Sequence, residues 1–265
     1  MSLPTILGFF LSLVLFIGAI VGSTSNYQVF LHATGFVMVV GGTLAATFVA
    51  FEVRYVLQAL SLIKAIFFSP RMGRGMLTNE VARVIRWGYM VQKGGLPALE
   101  SDTKNLRKQD QFLAFGVNLV VSGYSGPEVR ELLENQVETA FQRRTVPTEI
   151  LKYMASNAPA FGMLATLVGL VVMLDNMGTD PSKLGPGMAV GLLGTLYGVL
   201  FARLILMPAA NKVHQRESII RFRGLLVTEG LALLADRKSP RFIQDAMNSF
   251  LDPAIHFDID RVQRR

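Results

Sequence analysis

The sequence predicts an all-α membrane protein, with four transmembrane helices in two hairpins and a helical cytoplasmic domain between the second and third helices. The composition is 51% hydrophobic with a mean hydropathy of +0.41, which is typical of membrane proteins. Four apolar stretches are long enough to cross the hydrocarbon core, which takes about 20 helical residues. No convincing strand alternation appears. The 265 residues include no cysteine, so disulfides, thiol nucleophiles and Cys-based metal sites are excluded.

The four apolar stretches are the candidate spans. The first lacks the basic segment and the short apolar run of a cleavable signal peptide, so we interpret it as a helix. Among Asp, Glu, Lys, Arg and His, these stretches contain only His32 at the start of the second and Arg203 near the end of the fourth. The stretches are residues 3–22, 32–51, 155–174 and 185–208.

The distribution of basic residues predicts the orientation. Segment 59–152 contains thirteen Lys and Arg and segment 209–265 contains ten, whereas the short connections 23–31 and 175–184 share one. The positive-inside rule therefore places the long loop and both termini in the cytoplasm. The predicted divisions are residues 1–58 for the first transmembrane hairpin, 59–152 for the helical cytoplasmic domain, 153–208 for the second hairpin, and 209–265 for a cytoplasmic C-terminal helix and tail.

The net charge of +7 is also explained by the basic residues that accumulate on the cytoplasmic side of membrane proteins. No nucleic-acid recognition motif is present, so nucleic acid is not an expected partner.

The cytoplasmic segments are predicted to be helical. "SGPEVRELLENQVETAFQRR" starts with Ser125 and has Pro127 in the first turn, followed by an apolar stripe at helical spacing. The amphipathic tail "ANKVHQRESIIRFRGLLVTEGLALLA" is expected to continue the fourth span.

The third and fourth spans combine small faces with isolated hydroxyl groups. Gly162, Thr166 and Gly169 share one helical face, and Gly194 and Thr195 lie within a run of glycines in the fourth span. Close packing inside one chain explains the glycines, and a helical threonine can bond its own i−4 carbonyl. The alternative is that these faces line an ion path. Since no span has Asp, Glu or Lys near its middle, the titratable acid would then come from a partner helix.

Two prolines lie where these spans meet the cytoplasm. Pro159 lies at the cytoplasmic start of the third span and Pro208 at the cytoplasmic end of the fourth. Proline removes a backbone hydrogen bond and can kink a helix, so both residues are candidates for a hinge at one mouth of the path. The alternative is that they only terminate helices.

Three passages resemble the bacterial flagellar motor stator A subunit, the MotA/PomA type of the MotA/TolQ/ExbB proton channel family. "NAPAFGMLATLVGLVVMLDNM" and "LGPGMAVGLLGTLYGVLFARLILMPAANKV" are similar to its third and fourth transmembrane helices, and "MVQKGGLPALE" resembles its cytoplasmic segment "GLLALE". The resemblance implies a pentamer of this chain in the bacterial inner membrane around two single-span B subunits of the MotB/PomB type. Those subunits supply the ion-binding aspartate, and ion flow turns a flagellar rotor.

The resemblance also assigns roles to residues. It places Thr166 in the ion path, makes Pro159 and Pro208 functional prolines, and makes Glu100 an acidic rotor contact. The family's basic rotor-contact position falls on Gln92, with Lys93 beside it to carry the charge.

The transported ion and the task of the channel stay open in the sequence. Sodium-driven members have two adjacent threonines in the fourth helix, and here the first is Gly194 beside Thr195. Loss of one hydroxyl ligand favours protons, although backbone carbonyls and water can replace it for sodium. The alternatives to a stator are a related energy transducer serving another envelope process, and a scaffold without ion flux. No nucleophile–base pair, metal-ligand spacing or phosphate loop indicates an enzyme, and no cofactor is expected.

Overall fold

The computed structural model describes residues 3–66, 74–103, 106, 110–177 and 184–259, and these residues contain helices and no strand. Nine helices are named here in chain order. They are α1 (Leu3–Ser23), α2 (Ala33–Ala50), α3 (Val53–Leu62), α4 (Arg74–Thr103), α5 (Gln111–Val121), α6 (Gly126–Asn176), α7 (Leu184–Leu200), α8 (Met207–Ala235) and α9 (Pro240–Asn248). The all-α prediction is confirmed within the described part of the chain.

The apolar stretches become helices close to their predicted limits. Three helical stretches, Tyr27–Ala50, Gly126–Asn176 and Leu184–Ala235, are long and apolar enough to cross a membrane. Within α1, Leu7–Ser23 is a shorter apolar helix. The membrane character is therefore confirmed, while the count of four spans stays a prediction.

Helix α6 is much longer than the sequence pattern indicates. It runs for 51 residues, so that the predicted cytoplasmic helix and the third span form one continuous helix with Pro147 and Pro159 inside it. At its start the Ser125 hydroxyl and backbone N–H both donate to the Glu128 carboxylate at 2.7 and 2.8 Å, and the second of these bonds is the one by which a capping-box glutamate reaches back. These hydrogen bonds lower the pKa of Glu128, with the side-chain bond contributing most.

A π-helical segment, Phe201–Leu206, joins α7 to α8. The wider turn is visible in the backbone, because the Met207 N–H bonds the carbonyl of Ala202, five residues earlier. Pro208 follows immediately, with no N–H to donate and a ring that crowds the carbonyl four residues before it. The local widening of the helix is the physical response to that proline.

The chain divides into two compact units, Met1–Ser69 with Arg144–Gln215, and Pro70–Arg143 with Arg216–Arg265. The division falls within α6 and α8 rather than at helix ends. The four-part division predicted from the sequence stays a prediction. In the first unit an apolar core cluster rich in alanine joins α3, α6, the π-segment and α8, formed by Ala59, Ile150, Leu151, Met154, Ala155, Ala158, Ala202, Leu206, Ala209 and Ala210.

The second unit has a core of large apolar side chains, including Trp87, Leu99, Leu113, Leu133, Leu231 and Ile243. Of the predicted stripe on α6, Leu133 is buried whereas Leu132 is 40% exposed, so the buried face is narrower than expected.

Charged side chains tie three helices of this unit together. The Arg223 guanidinium of α8 bonds Glu80 of α4 at 2.7 Å and also Asp110, which caps α5. Burial alone would lower the pKa of Arg223, but the two carboxylates outweigh it and raise that pKa.

Candidate ion path

Helices α6 and α7 meet through glycine in backbone-to-backbone contact. A methyl group on Gly162 would lie 2.8 Å from the carbonyl oxygen of Gly194, and one on Gly198 would lie 2.6 Å from that of Ala158. Gly194 is itself buried, against Ala165. Such distances leave no room for side chains, so the small residues predicted on both spans do form one seam.

The two predicted hydroxyl groups meet in the middle of this seam. Thr166 Oγ1 lies 2.7 Å from Thr195 Oγ1. The Thr166 hydroxyl can donate its proton to the Gly191 carbonyl at 2.9 Å or to the Gly162 carbonyl at 3.2 Å. Thr195 Oγ1 is also 3.3 Å from the Gly162 carbonyl. Two hydroxyls and two carbonyls thus form a compact polar cluster in an apolar helix pair. The shorter of the two carbonyl contacts of Thr166 is the one across the helices, which intrahelical back-bonding alone does not explain.

Beside Thr166 the seam opens as a shallow depression of about 60 Å³. Its lining combines two glycines of α7 with larger apolar side chains, of which Leu192 is 65% exposed. The Thr166 side chain is half-buried rather than sealed. Thr166 thus lines the depression, whose surface is almost entirely apolar, while Thr195 lies outside its lining.

A neighbouring face of α7 is held by α2 and by the turn before it. The Tyr197 hydroxyl donates to the carbonyl of Phe30 and accepts from the His32 N–H at 2.9 Å. Gly35 approaches the backbone of Gly194, where an added methyl would lie at 3.4 Å. These contacts fix the rotation of α7 and with it the direction of Thr195.

The two predicted hinge prolines occupy different settings. Pro159 lies within α6, where its Cα would be 3.1 Å from a methyl group on Gly198, so it faces α7 at the seam. Pro208 is the second residue of α8, directly after the π-segment. Neither proline terminates the helical path, because helix continues on both sides of each. The interpretation that they only end helices is therefore wrong, and the hinge role stays a prediction.

The predicted rotor-contact residues belong to the second unit and are all exposed. Gln92 and Lys93 lie on α4 before a kink at Gly95, whose φ of 71° is favourable only for glycine. Glu100 follows the kink, next to the buried Leu99.

Charge is sparse along the candidate path. Between residues 153 and 174, and between 184 and 202, the sequence has no Asp, Glu, Lys, Arg or His. Among the residues that the structure describes, no cluster of three metal-ligating side chains is found. The path therefore offers hydroxyl and carbonyl oxygens without a titratable group.

Comparison with known proteins decides the family. The sequence model of the MotA/TolQ/ExbB proton channel family matches residues 104–223. The chain is 30% identical to the chemotaxis protein PomA of Vibrio alginolyticus over 95% of this chain and 96% of that protein. The chain belongs to the MotA/TolQ/ExbB proton channel family. This family member is accordingly an integral protein of the bacterial inner membrane.

Solved structures of similar fold agree with this assignment. C. jejuni MotAB matches with a TM-score of 0.83 at 22% identity, over 96% of this chain and 97% of that one. The flagellar MotAB stator complex from Bacillus subtilis matches with a TM-score of 0.81 at 22% identity, over 100% of this chain and 98% of that one. At these identities the likeness shows that this MotA/TolQ/ExbB family member shares their fold.

Sequence reasoning missed two contributors to the site of this family member. The carbonyls of Gly162 and Gly191 act as acceptors, although the pattern predicted only packing for these glycines. Tyr197 lies in the passage similar to the fourth transmembrane helix, and the pattern predicts no role for it. A tyrosine in an apolar span is nevertheless informative, because its hydroxyl needs a hydrogen-bond partner there.

Proposed function

We propose that this chain is the A subunit of a flagellar stator, which couples ion flow to torque together with a single-span B subunit. The observation that carries the proposal is the Thr166–Thr195 hydroxyl pair, 2.7 Å apart, in a glycine seam that has no ionisable side chain of its own. The family and the fold of the MotAB complexes support it. A pentamer around two B subunits and the inner-membrane location complete the proposed assembly.

The chemistry requires an acid from outside the chain. A carboxylate on a partner helix, seated in the depression beside Thr166, would be desolvated and therefore hold a proton until water reaches it. The hydroxyl pair can donate or accept a hydrogen bond as the charge on that carboxylate changes. Each elementary charge that crosses the membrane releases about 2.3 kcal/mol per 100 mV. That energy drives the conformational step.

Protons are the proposed ion. The polar cluster offers two hydroxyls and two carbonyls, and these oxygens already bond one another. A dehydrated sodium ion would have to break these bonds and find further ligands, with Gly194 in place of a second adjacent hydroxyl. Swimming that persists without sodium and stops with a protonophore is the expected result, and the reverse pattern would assign sodium.

The proposed orientation has the basic loop and both termini in the cytoplasm, with Lys93 and Glu100 facing the rotor. The absence of native cysteine makes this testable, since single cysteines can be introduced at Ser25 and Ser101. A membrane-impermeant maleimide should label Ser25→Cys in intact cells and leave Ser101→Cys unlabelled until the membrane is opened. The opposite labelling pattern would reverse the orientation.

The central experiment removes each hydroxyl and retains side-chain shape. Thr166→Val and Thr195→Val are compared with Thr43→Val, a buried threonine of α2 that bonds only its own helix, at the Val39 carbonyl. The proteins are co-expressed with a candidate B subunit, and ion flux and motility are measured at equal membrane levels. Flux and motility should fall in the first two variants and persist in the control.

Two outcomes would contradict the proposal. Normal flux in both seam variants would favour a scaffold without ion conduction. Normal flux with unchanged motility in Lys93→Glu and Glu100→Lys variants would favour an energy transducer for another envelope process.

A further inference from the structure

The two helical limbs of α4 reverse direction at Gly95, and we name this feature the Gly95 hairpin, formed by residues 74–103. Trp87 and Asp102 are fifteen residues apart and would be about 22 Å apart along a straight helix. In the structure, the Trp87 Nε1–H donates to Asp102 Oδ2 at 3.0 Å. The left-handed backbone of Gly95 makes the reversal, and Pro97 starts the second limb with no N–H to continue the first.

The Trp87–Asp102 bond closes this hairpin across its open side. The Trp87 ring is 1% exposed, so its indole N–H, which is only a donor, needs an acceptor inside the protein. Asp102 supplies a charged acceptor, and bonds of this kind are stronger than neutral ones. Arg86 reaches the same carboxylate oxygen at 3.5 Å, but its side chain is 63% exposed and adds little.

The closed hairpin sets where two opposite charges stand. Lys93 is two residues before Gly95 on the first limb, and Glu100 is two residues before Asp102 on the second. Both are exposed, and in the described part of the chain neither has a salt-bridge partner. Their separation therefore depends on the angle between the limbs rather than on a bond between them.

We propose that Trp87 and Asp102 are positioning residues, which clamp the Gly95 hairpin and hold Lys93 and Glu100 at a fixed spacing for a charged partner surface. The inference rests on the proposed stator function. It adds two residues that touch no ion and no partner, and that act through the geometry of the contact residues. Glycine at the bend gives the chain freedom, and the clamp adds a directional restraint to the packing of the buried Val91 and Leu99.

The single tryptophan of the chain makes the clamp directly observable. In the complex with the B subunit, subtraction of the spectrum of a Trp87→Phe complex isolates the emission of Trp87. The test compares Asp102→Ala, which removes the acceptor, with Asp102→Asn, which retains an acceptor oxygen. Arg86→Ala is the matched control, because it removes only the exposed contact to the same oxygen.

Loss of a hydrogen bond to a charged group should shift the open–closed ratio of the hairpin by about tenfold or more. We therefore expect red-shifted emission and stronger acrylamide quenching in Asp102→Ala, with values near the wild type in Asp102→Asn and Arg86→Ala. Swimming torque should fall in Asp102→Ala and in Trp87→Phe and recover in Asp102→Asn. Ion flux and membrane levels should stay at wild-type values in all of them, which separates this result from misfolding.

Three results would overturn the inference. The first is unchanged Trp87 emission in Asp102→Ala, and the second is an opened hairpin with full torque. The third is equal loss of torque in Asp102→Asn and Asp102→Ala, which would assign the effect to charge rather than to the clamp. Failure of the proposed function would give a different result. Full motility of the Lys93→Glu and Glu100→Lys variants would refute the rotor-contact role of these residues, whether the hairpin is open or closed.

Discussion

Substitution of Gly162 by alanine tests the seam most sharply, because this glycine lies where the two helices and the two hydroxyls meet. The added methyl would lie 2.8 Å from the Gly194 carbonyl oxygen and 2.9 Å from Thr195 Cα, whereas ordinary contacts begin at 3.4 Å. Both obstacles are backbone atoms, which cannot rotate away. Helices α6 and α7 therefore have to separate by roughly 0.6 Å at this level.

That separation acts on stability and on the polar cluster together. Overpacking of this kind costs typically about 1–3 kcal/mol. The Thr195 hydroxyl is already 3.3 Å from the Gly162 carbonyl, so a further shift takes it beyond hydrogen-bonding distance. Gly162→Ala should consequently lower the melting temperature of the purified complex and reduce ion flux in cells.

The matched control for this variant is Gly185→Ala in α7, where an added methyl meets nothing within 4 Å. Alanine favours helix over glycine by up to about 1 kcal/mol, so this control should be neutral or slightly more stable. Thermal unfolding in detergent and a flux assay are run on both variants. Equal melting temperatures and equal ion flux in the Gly162→Ala and Gly185→Ala variants would refute the close backbone contact between α6 and α7.

Three further predictions concern the second unit. Arg223→Met removes the more buried of the two cations at Glu80, leaving the partly exposed Arg83 at 3.1 Å, and should cost about 1.5–3 kcal/mol in the free energy of unfolding, measured by denaturant titration against the wild type. Gly95→Ala forces an L-residue into a φ of 71° and should cost about 1–2 kcal/mol in the same titration, and an unchanged midpoint would contradict the bend. Because the Glu128 pKa is lowered in the folded state, its contribution is present above the ordinary value of 4.5 and is lost as the pH falls through the lowered value. Glu128→Gln should therefore remove the part of the stability that is lost on acidification. If the wild type and Glu128→Gln have identical melting curves at every pH, the Ser125–Glu128 hydrogen bonds do not contribute to the pH dependence of stability.

Hydropathy predicts the membrane helices well because a span of about 20 residues in lipid has to be predominantly apolar. The stretch 32–51 corresponds to α2 at Ala33–Ala50, and the stretch from 185 corresponds to α7 from Leu184. Hydropathy does not reveal the full length of α6, because the part of a helix that lies outside the membrane is still hydrogen-bonded but is no longer apolar. Pro147 and Pro159 also look like ends in the sequence, although a long helix tolerates them.

The candidate site is predictable only in part. The seam follows from the spacing of small residues, so Thr166, Thr195 and Gly194 are found together as the pattern indicates. The π-segment before Pro208 is not, because one extra residue in a turn leaves no periodic trace in so apolar a stretch. The Trp87–Asp102 bond is equally hidden, since it depends on a chain reversal that the sequence marks only with "GGLP".

The backbone contact between α6 and α7 has a mechanical meaning. Where two helix backbones are in direct contact, sliding or rotation of one helix against the other makes carbonyl groups and α-carbons collide. Helices α6 and α7 are therefore expected to move as one rigid pair. A displacement of either threonine is then transmitted to both helices. The absence of side chains at the glycine positions, which lets the helices approach closely, is thus also what couples their movement.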